Sequence, residues 1–145
     1  MNNWDEFRIE RSILRIGTFL ASRRNVHLRQ LGLTASQSEA LLFLQNTPPI
    51  SITVLKNHLK ISHQATRVLV ERLKEKELVV VRQDTADSRS RLITLTPQGN
   101  ALFAQLTHEG QAVGVRLLKS LSSEEMAQLD GLLQKISASL KAELA

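Results

Sequence analysis

The chain has 145 residues, no cysteine, and a formal net charge of +5 from 19 Lys and Arg against 14 Asp and Glu. That length holds one domain, or one domain with helical extensions, and the missing thiols exclude disulfides, thiolate chemistry and a cysteine redox switch. No run approaches the ~18 apolar residues of a membrane helix, and acids from Asp5 onward occupy the stretch where a secretory signal carries none, so a soluble cytoplasmic protein without a membrane partner is expected.

Residues 4 to about 29 read as a long helix, with Phe7, Leu14, Phe19 and Leu20 among its apolar positions and Arg8, Arg11 and Arg15 on a basic side. Leu31 and Gly32 end it. Thr34 and Gln37 have the spacing of a capping box, which starts a second helix with Ala40, Leu41 and Leu44 as its core face. Asn46-Thr47-Pro48-Pro49 is a clear break. Ile50 is placed to add one strand residue beside a later hairpin. Leu55, Leu59 and Ile61 have the spacing of a short packed helix followed by a turn. Ser62 stands where an N-cap is wanted, and Ala65, Leu69 and Leu73 then fall on one face of the next helix.

Residues 78–82 and 91–95 are β-rich, and the polar residues 83–90 between them are too many for a two-residue turn. Thr96 and Pro97 open a fifth helix, with Thr as N-cap and Pro at the first helical position, running to about residue 120. Ser122 and Glu125 make a second capping box, with Leu121 and Met126 placed as a hydrophobic staple. The last helix runs from about 123 to 143 with the stripe Leu129, Leu132, Leu133, Ile136 and Leu140.

The stretch from 51 to 96 therefore orders as helix, tight turn, helix, strand, basic loop, strand. That is a helix-turn-helix with a β-hairpin wing. Its nine basic and five acidic residues give it +4, against +2 for residues 1–50 and −1 for 97–145. A helix fits the major groove of B-DNA and offers its N-terminal side chains to base edges. A basic hairpin tip beside it reaches a minor groove, whose negative potential attracts arginine. The alternative is an ordinary α/β fragment whose charges are a solvated face.

On the second helix of the motif, Ser62, His63, Gln64 and Arg67 form the N-terminal solvent side. Gln64 and Arg67 have the chemistry to read adenine and guanine edges. Thr66 lies closer to the core face and divides between packing and a phosphate contact. Glu71 is expected at the rim. Lys60, Arg72 and Lys74 are expected as phosphate contacts or as solvated charges. Arg89 is the leading wing contact, with Arg91 on the backbone. A carboxylate facing DNA is repelled, so Asp87 is expected to be structural. Ser36 and Gln37 begin the second helix, whose free N–H groups suit a phosphate.

At these residues the chain resembles the MarR (multiple-antibiotic-resistance regulator) family. The marks are Leu55 and Leu59 four apart, the Ile61-Ser62 turn, the Arg72-Leu73 helix end, and above all DTADSRSRLITLTPQG at 84–99. In that stretch Asp87, Arg89, Leu95, Thr96 and Gly99 match the wing pattern of the family. Glu77 departs from it, standing where many relatives have the Gly that ends the recognition helix. The resemblance implies a mainly α protein with a small β-hairpin, a winged helix-turn-helix unit at 33–96, and helices at 1–32 and 97–145 that dimerise. It also implies that Asp87 holds the guanidinium of Arg89 or the loop itself. A small aromatic carboxylate or phenolic effector is implied in a cleft between the dimer helices and the winged unit, with Arg11, Arg15, Arg23 and Arg24 the available cations.

The apolar stripes point the same way independently, since a globular chain does not leave such surface wet. They call for a second copy across a two-fold axis or for an intramolecular bundle. The expected function is a homodimeric repressor on a pseudo-palindromic operator in double-stranded DNA, with no cofactor. Two other classes stay open: a metal-responsive regulator, and a helical adaptor that binds no DNA. His27, His58, His63 and His108 show no metal-site spacing, and no catalytic signature is present.

Overall fold

The computed structural model describes residues 3–144. Residues 1, 2 and 145, at the outer ends of the expected dimerisation region, lie outside the described residues. The order is α1 (Asn3–Gln30), α2 (Ala35–Gln45), α3 (Ile52–Leu59), α4 (His63–Glu75), β1 (Val79–Gln83), β2 (Arg91–Leu95), α5 (Pro97–Leu118) and α6 (Ser123–Leu144). The chain is mainly helical with one antiparallel hairpin, a winged helix-turn-helix. It divides into two compact units, Met1–Thr107 and His108–Ala145.

Local capping explains where the helices start. At α2 the Thr34 hydroxyl accepts from the Gln37 N–H at 3.1 Å, and the Gln37 amide oxygen accepts from the Thr34 N–H at 3.2 Å. Ser122 and Glu125 close the same reciprocal pair ahead of α6, at 3.2 and 2.8 Å. Each box satisfies two donors that a helix start leaves free. Within the first unit the core gathers Leu28, Leu33, Leu41, Leu44, Ile50, Leu55, Leu69, Val70, Leu73, Leu78 and Ile93. The C-terminal end of α1 is thus built into the winged unit through Leu28. His58 joins α3 to α2: its ring stacks on Phe43 at 3.7 Å between centroids, with Nε2 3.4 Å from Glu39 Oε1.

The hairpin pairs Val79 with Leu95 through Gln83 with Arg91, so β1 begins one residue later than the sequence pattern indicates. Ile50 adds the expected third rung. It donates to the Ile93 carbonyl at 3.3 Å and accepts from the Ile93 N–H at 2.7 Å. A two-stranded hairpin alone is marginal. This one is pinned by Ile50 on one side and by the buried Val79 and Ile93 against the helices.

The core face of α4 is Thr66, Leu69, Val70 and Leu73, and Ala65 is exposed. The expected face, with Ala65 in it, is therefore corrected. Strict steps of four advance about 40° around a helix of 100° per residue, so the true stripe must alternate steps of three and four.

The end of α4 carries two backbone features that decide how the wing leaves it. Leu78 N–H bonds to the Leu73 carbonyl at 3.0 Å and Glu77 N–H to the Lys74 carbonyl at 2.8 Å. These are the two bonds of a Schellman closure, and it needs a left-handed residue between them. Glu77 supplies it at φ 59°, so the departure from Gly changes the energy of the helix end and not its geometry. Further on, Thr96 N–H donates to the Leu78 carbonyl at 3.0 Å and the Thr96 hydroxyl to the Glu77 carbonyl at 2.6 Å. The same hydroxyl accepts from Gly99 N–H at 3.0 Å and caps α5. A Cβ on Gly99 would collide with the Leu78 carbonyl oxygen. That is why Gly follows Thr96 by three.

Two opposite shifts follow. Glu77→Gly is expected to stabilise by about 1 kcal/mol through loss of left-handed strain. Gly99→Ala is expected to destabilise by about 1–3 kcal/mol by overpacking against backbone. Urea unfolding of the three proteins checks both; a neutral Gly99→Ala would contradict the close approach.

Candidate nucleic-acid interface

Ser51 caps α3, its hydroxyl accepting from Val54 N–H at 3.4 Å. Lys60 follows α3 at φ 54°, and its N–H closes onto the Lys56 carbonyl at 2.9 Å. That left-handed residue turns the chain into Ser62, whose hydroxyl accepts from Ala65 N–H at 3.0 Å and caps α4. Beneath α4, Leu55, Thr66, Val70 and Leu73 are fully buried. Packing thus fixes the rotation of α4 about its axis. That rotation leaves Ser62, His63, Gln64 and Arg67 exposed around its first turns.

Two residues expected at the interface are interior instead. Thr66 has 0 % of its surface exposed, and its hydroxyl donates to the Ser62 carbonyl at 2.9 Å. It sits at the centre of the core stripe, so it packs and does not reach a phosphate. Gln37 is 3 % exposed. Its amide oxygen serves the capping box and also accepts from Lys76 Nζ at 3.2 Å. It is committed inside the fold, whereas Ser36 beside it is exposed.

The wing is ordered by its own side chains. Asp84 Oδ1 accepts from Ala86 N–H at 2.9 Å, and Asp87 Oδ1 from Arg89 N–H at 3.0 Å. Gln83 Nε2 donates to the Ser88 carbonyl at 2.6 Å. These are aspartate turns, in which a carboxylate takes a main-chain N–H two residues on. Asp87 therefore engages the loop backbone, and no ion pair joins it to the Arg89 guanidinium among the described residues. Arg89 and Arg91 are exposed.

An open groove lies on each flank of α4. One, about 700 Å³, is lined by Thr34, Gln64, Arg67, Arg72 and Lys76 among others. The other, about 340 Å³, includes Ile52, Arg67, Lys74, Val81 and Arg91. Arg72 is thus exposed beside the first groove, toward the α1–α2 corner and away from the start of α4. Arg11 and Arg15 are exposed on α1 and line neither groove. No cluster of three or more His, Asp or Glu suited to a metal occurs among the described residues, and no described helix is long and apolar enough to cross a membrane.

Lys76 is the residue that sequence reasoning missed. Its ammonium donates to the Gly32 carbonyl as well as to Gln37, joining the end of α4 to the α1–α2 corner. The partners are 44 and 39 residues away, so no local spacing announces them. The left-handed turn at Lys60 lacks the glycine that would mark a positive φ.

Comparison with known proteins places this geometry. The profile of the MarR family matches residues 31–90. The multiple antibiotic resistance protein MarR of Salmonella typhimurium is 32% identical over 113 residues, 77% of this chain and 78% of that protein. A MarR mutant from E. coli, solved in complex with operator DNA, is 28% identical with a TM-score of 0.71, over 94% of this chain and 99% of that one. A MarR family protein from Bacillus stearothermophilus has a TM-score of 0.85 over 97% of this chain and 99% of its own, and at 23% identity it speaks to the fold alone.

Proposed function

We propose, starting from the fact that this chain belongs to the MarR family of transcriptional regulators, that it is a homodimeric repressor that reads a pseudo-palindromic operator. The observation that carries the reading is the exposed row His63, Gln64 and Arg67 at the start of α4, held beside a self-ordered wing that presents Arg89. That pairing suits one major groove and the adjacent minor groove. Ser62, Arg91, Ser36 at the α2 start and Arg72 on its groove are the phosphate ligands of this reading, and all four are exposed. The solved operator complex of a relative over nearly the whole length of this chain supports the same use of the fold.

Dimerisation rests on apolar surface. Trp4, Phe7, Leu14 and Phe19 on α1 and Leu132, Leu133, Ile136 and Leu140 on α6 are all exposed, Trp4 at 77 %. No residue of α6 is buried. Stripes of this extent belong against a second copy, which a two-fold axis provides.

The base-reading and backbone roles separate by mutation. Arg67→Ala is expected to lose about 1–3 kcal/mol on the preferred operator and to relax base choice at one position per half-site. Arg89→Ala is expected to weaken binding to many sequences and to flatten the salt dependence, because fewer counterions are released. Both side chains are exposed, so unfolding midpoints should hardly move. Gel shifts on operator and scrambled duplex over a salt series check this. Equal loss on both duplexes for Arg67→Ala would remove that residue from the bases.

Release by a small anionic or phenolic ligand completes the reading. Arg11 and Arg15, exposed on α1, are the cations this reading assigns to it. Such a ligand must prefer one dimer geometry, since equal affinity for two states shifts nothing. Salicylate titrated to millimolar levels is expected to lower operator affinity; unchanged affinity counts against this class of effector.

A further inference from the structure

The core face of α4 decides which of its side chains stand farthest from the interior. Thr66, Leu69, Val70 and Leu73 are buried, and at about 100° per residue the line opposite them runs through Gln64, Val68, Glu71 and Glu75. Val68 lies about 30° from that line, nearer to it than Arg67 at about 70°. It is 43 % exposed, the one large apolar side chain so exposed on α4. Neither packing nor helix formation asks for it there. It faces away from the core, and a β-branched side chain lowers helix propensity at a solvent-facing position. It also lines the larger groove beside α4, where among the described residues it is the one apolar side chain between polar and charged ones such as Thr34, Gln64, Glu71 and Arg72. A groove so lined gives an apolar small molecule one wall only.

We infer that Val68 is a specificity-determining residue that reads the C5-methyl group of a thymine in each half-site. The inference rests on the DNA-binding reading above. In the major groove every base pair shows donors and acceptors, and thymine adds a methyl group. Among the four standard bases that methyl is the one apolar substituent on the major-groove edge, so it is the partner that a valine fits. Gln64, four residues earlier, stands about 6 Å back along the helix axis, close to two base steps of about 3.4 Å. An amide for a hydrogen-bonding edge and a valine for a methyl thus stand one turn apart on the outward side of α4. A buried methyl carries sequence information without charge, so it acts on base choice and leaves counterion release alone.

The test uses the full-length chain and a duplex recovered by selection from a random pool. Each thymine of the half-site is replaced in turn, in both halves, by 2′-deoxyuridine, which lacks only the methyl. For the wild type, one of these replacements is expected to weaken binding about fourfold per half-site, as for one buried methyl. Val68→Ala is expected to bind the thymine duplex more weakly, with an unchanged log–log salt slope, and to be indifferent to that same uridine. Val68→Ile is expected to keep the discrimination. A merely structural role for Val68 would lower affinity for thymine and uridine duplexes alike. A uridine penalty that is equal in Val68→Ala and the wild type therefore overturns the inference while leaving the repressor reading intact. So does a half-site in which no thymine is sensitive to its methyl. A wild type that recovers no duplex from the pool overturns both.

Discussion

The Leu78 carbonyl is where the recognition helix, the wing and the fifth helix meet. It accepts from Thr96 N–H, and Gly99 lies against it so closely that no Cβ fits. One residue earlier the Glu77 carbonyl takes the Thr96 hydroxyl, which also caps α5. The Schellman closure of α4 on Leu73 sets the direction in which Leu78 leaves. Rotation of α4, direction of the wing and origin of α5 are thus tied within a few ångströms. The proposed interface, a helix for one groove and a hairpin for the next, depends on that tie.

Charge is distributed unevenly along the chain. The charge excess is concentrated in residues 51–96, while the last stretch is slightly negative. Arg67, Arg89 and Arg91 are exposed and carry no ion pair among the described residues, so no internal carboxylate competes for them. The Glu71–Lys74 pair at 3.3 Å is a surface pair of adjacent turns, worth little to stability. The acidic wing residues are turned to the loop backbone, where Asp84 and Asp87 order the tip that presents Arg89. Charge of the unfavourable sign thereby becomes structure.

Much of this was legible because it is local. Thr34 with Gln37, Ser122 with Glu125, and Thr96 before Pro97 are spacing rules of three residues or fewer, and each forms as read. The single strand residue Ile50 was legible from its place after the double proline. What failed is what depends on packing at a distance. Thr66 displaced Ala65 from the core face because the whole stripe, not any one spacing, decides the rotation of a helix. Gln37 looked available at a helix start, yet Lys76 and the α1–α2 corner close over it. Of the site, exposure at Ser62, His63, Gln64, Arg67 and Arg89 followed from pattern. The backbone duty of Asp87 was not legible, since the alternative of holding the Arg89 guanidinium fits the same two-residue spacing.

The central claim is that two copies of one helix-turn-helix face one side of a duplex. Selection of bound DNA from a random pool, followed by footprinting and a count of chains per duplex, addresses it directly. The account predicts a pseudo-palindrome with half-sites about one helical turn, 10–10.5 bp, apart and two chains bound to it. A single asymmetric half-site occupied by one chain would contradict it.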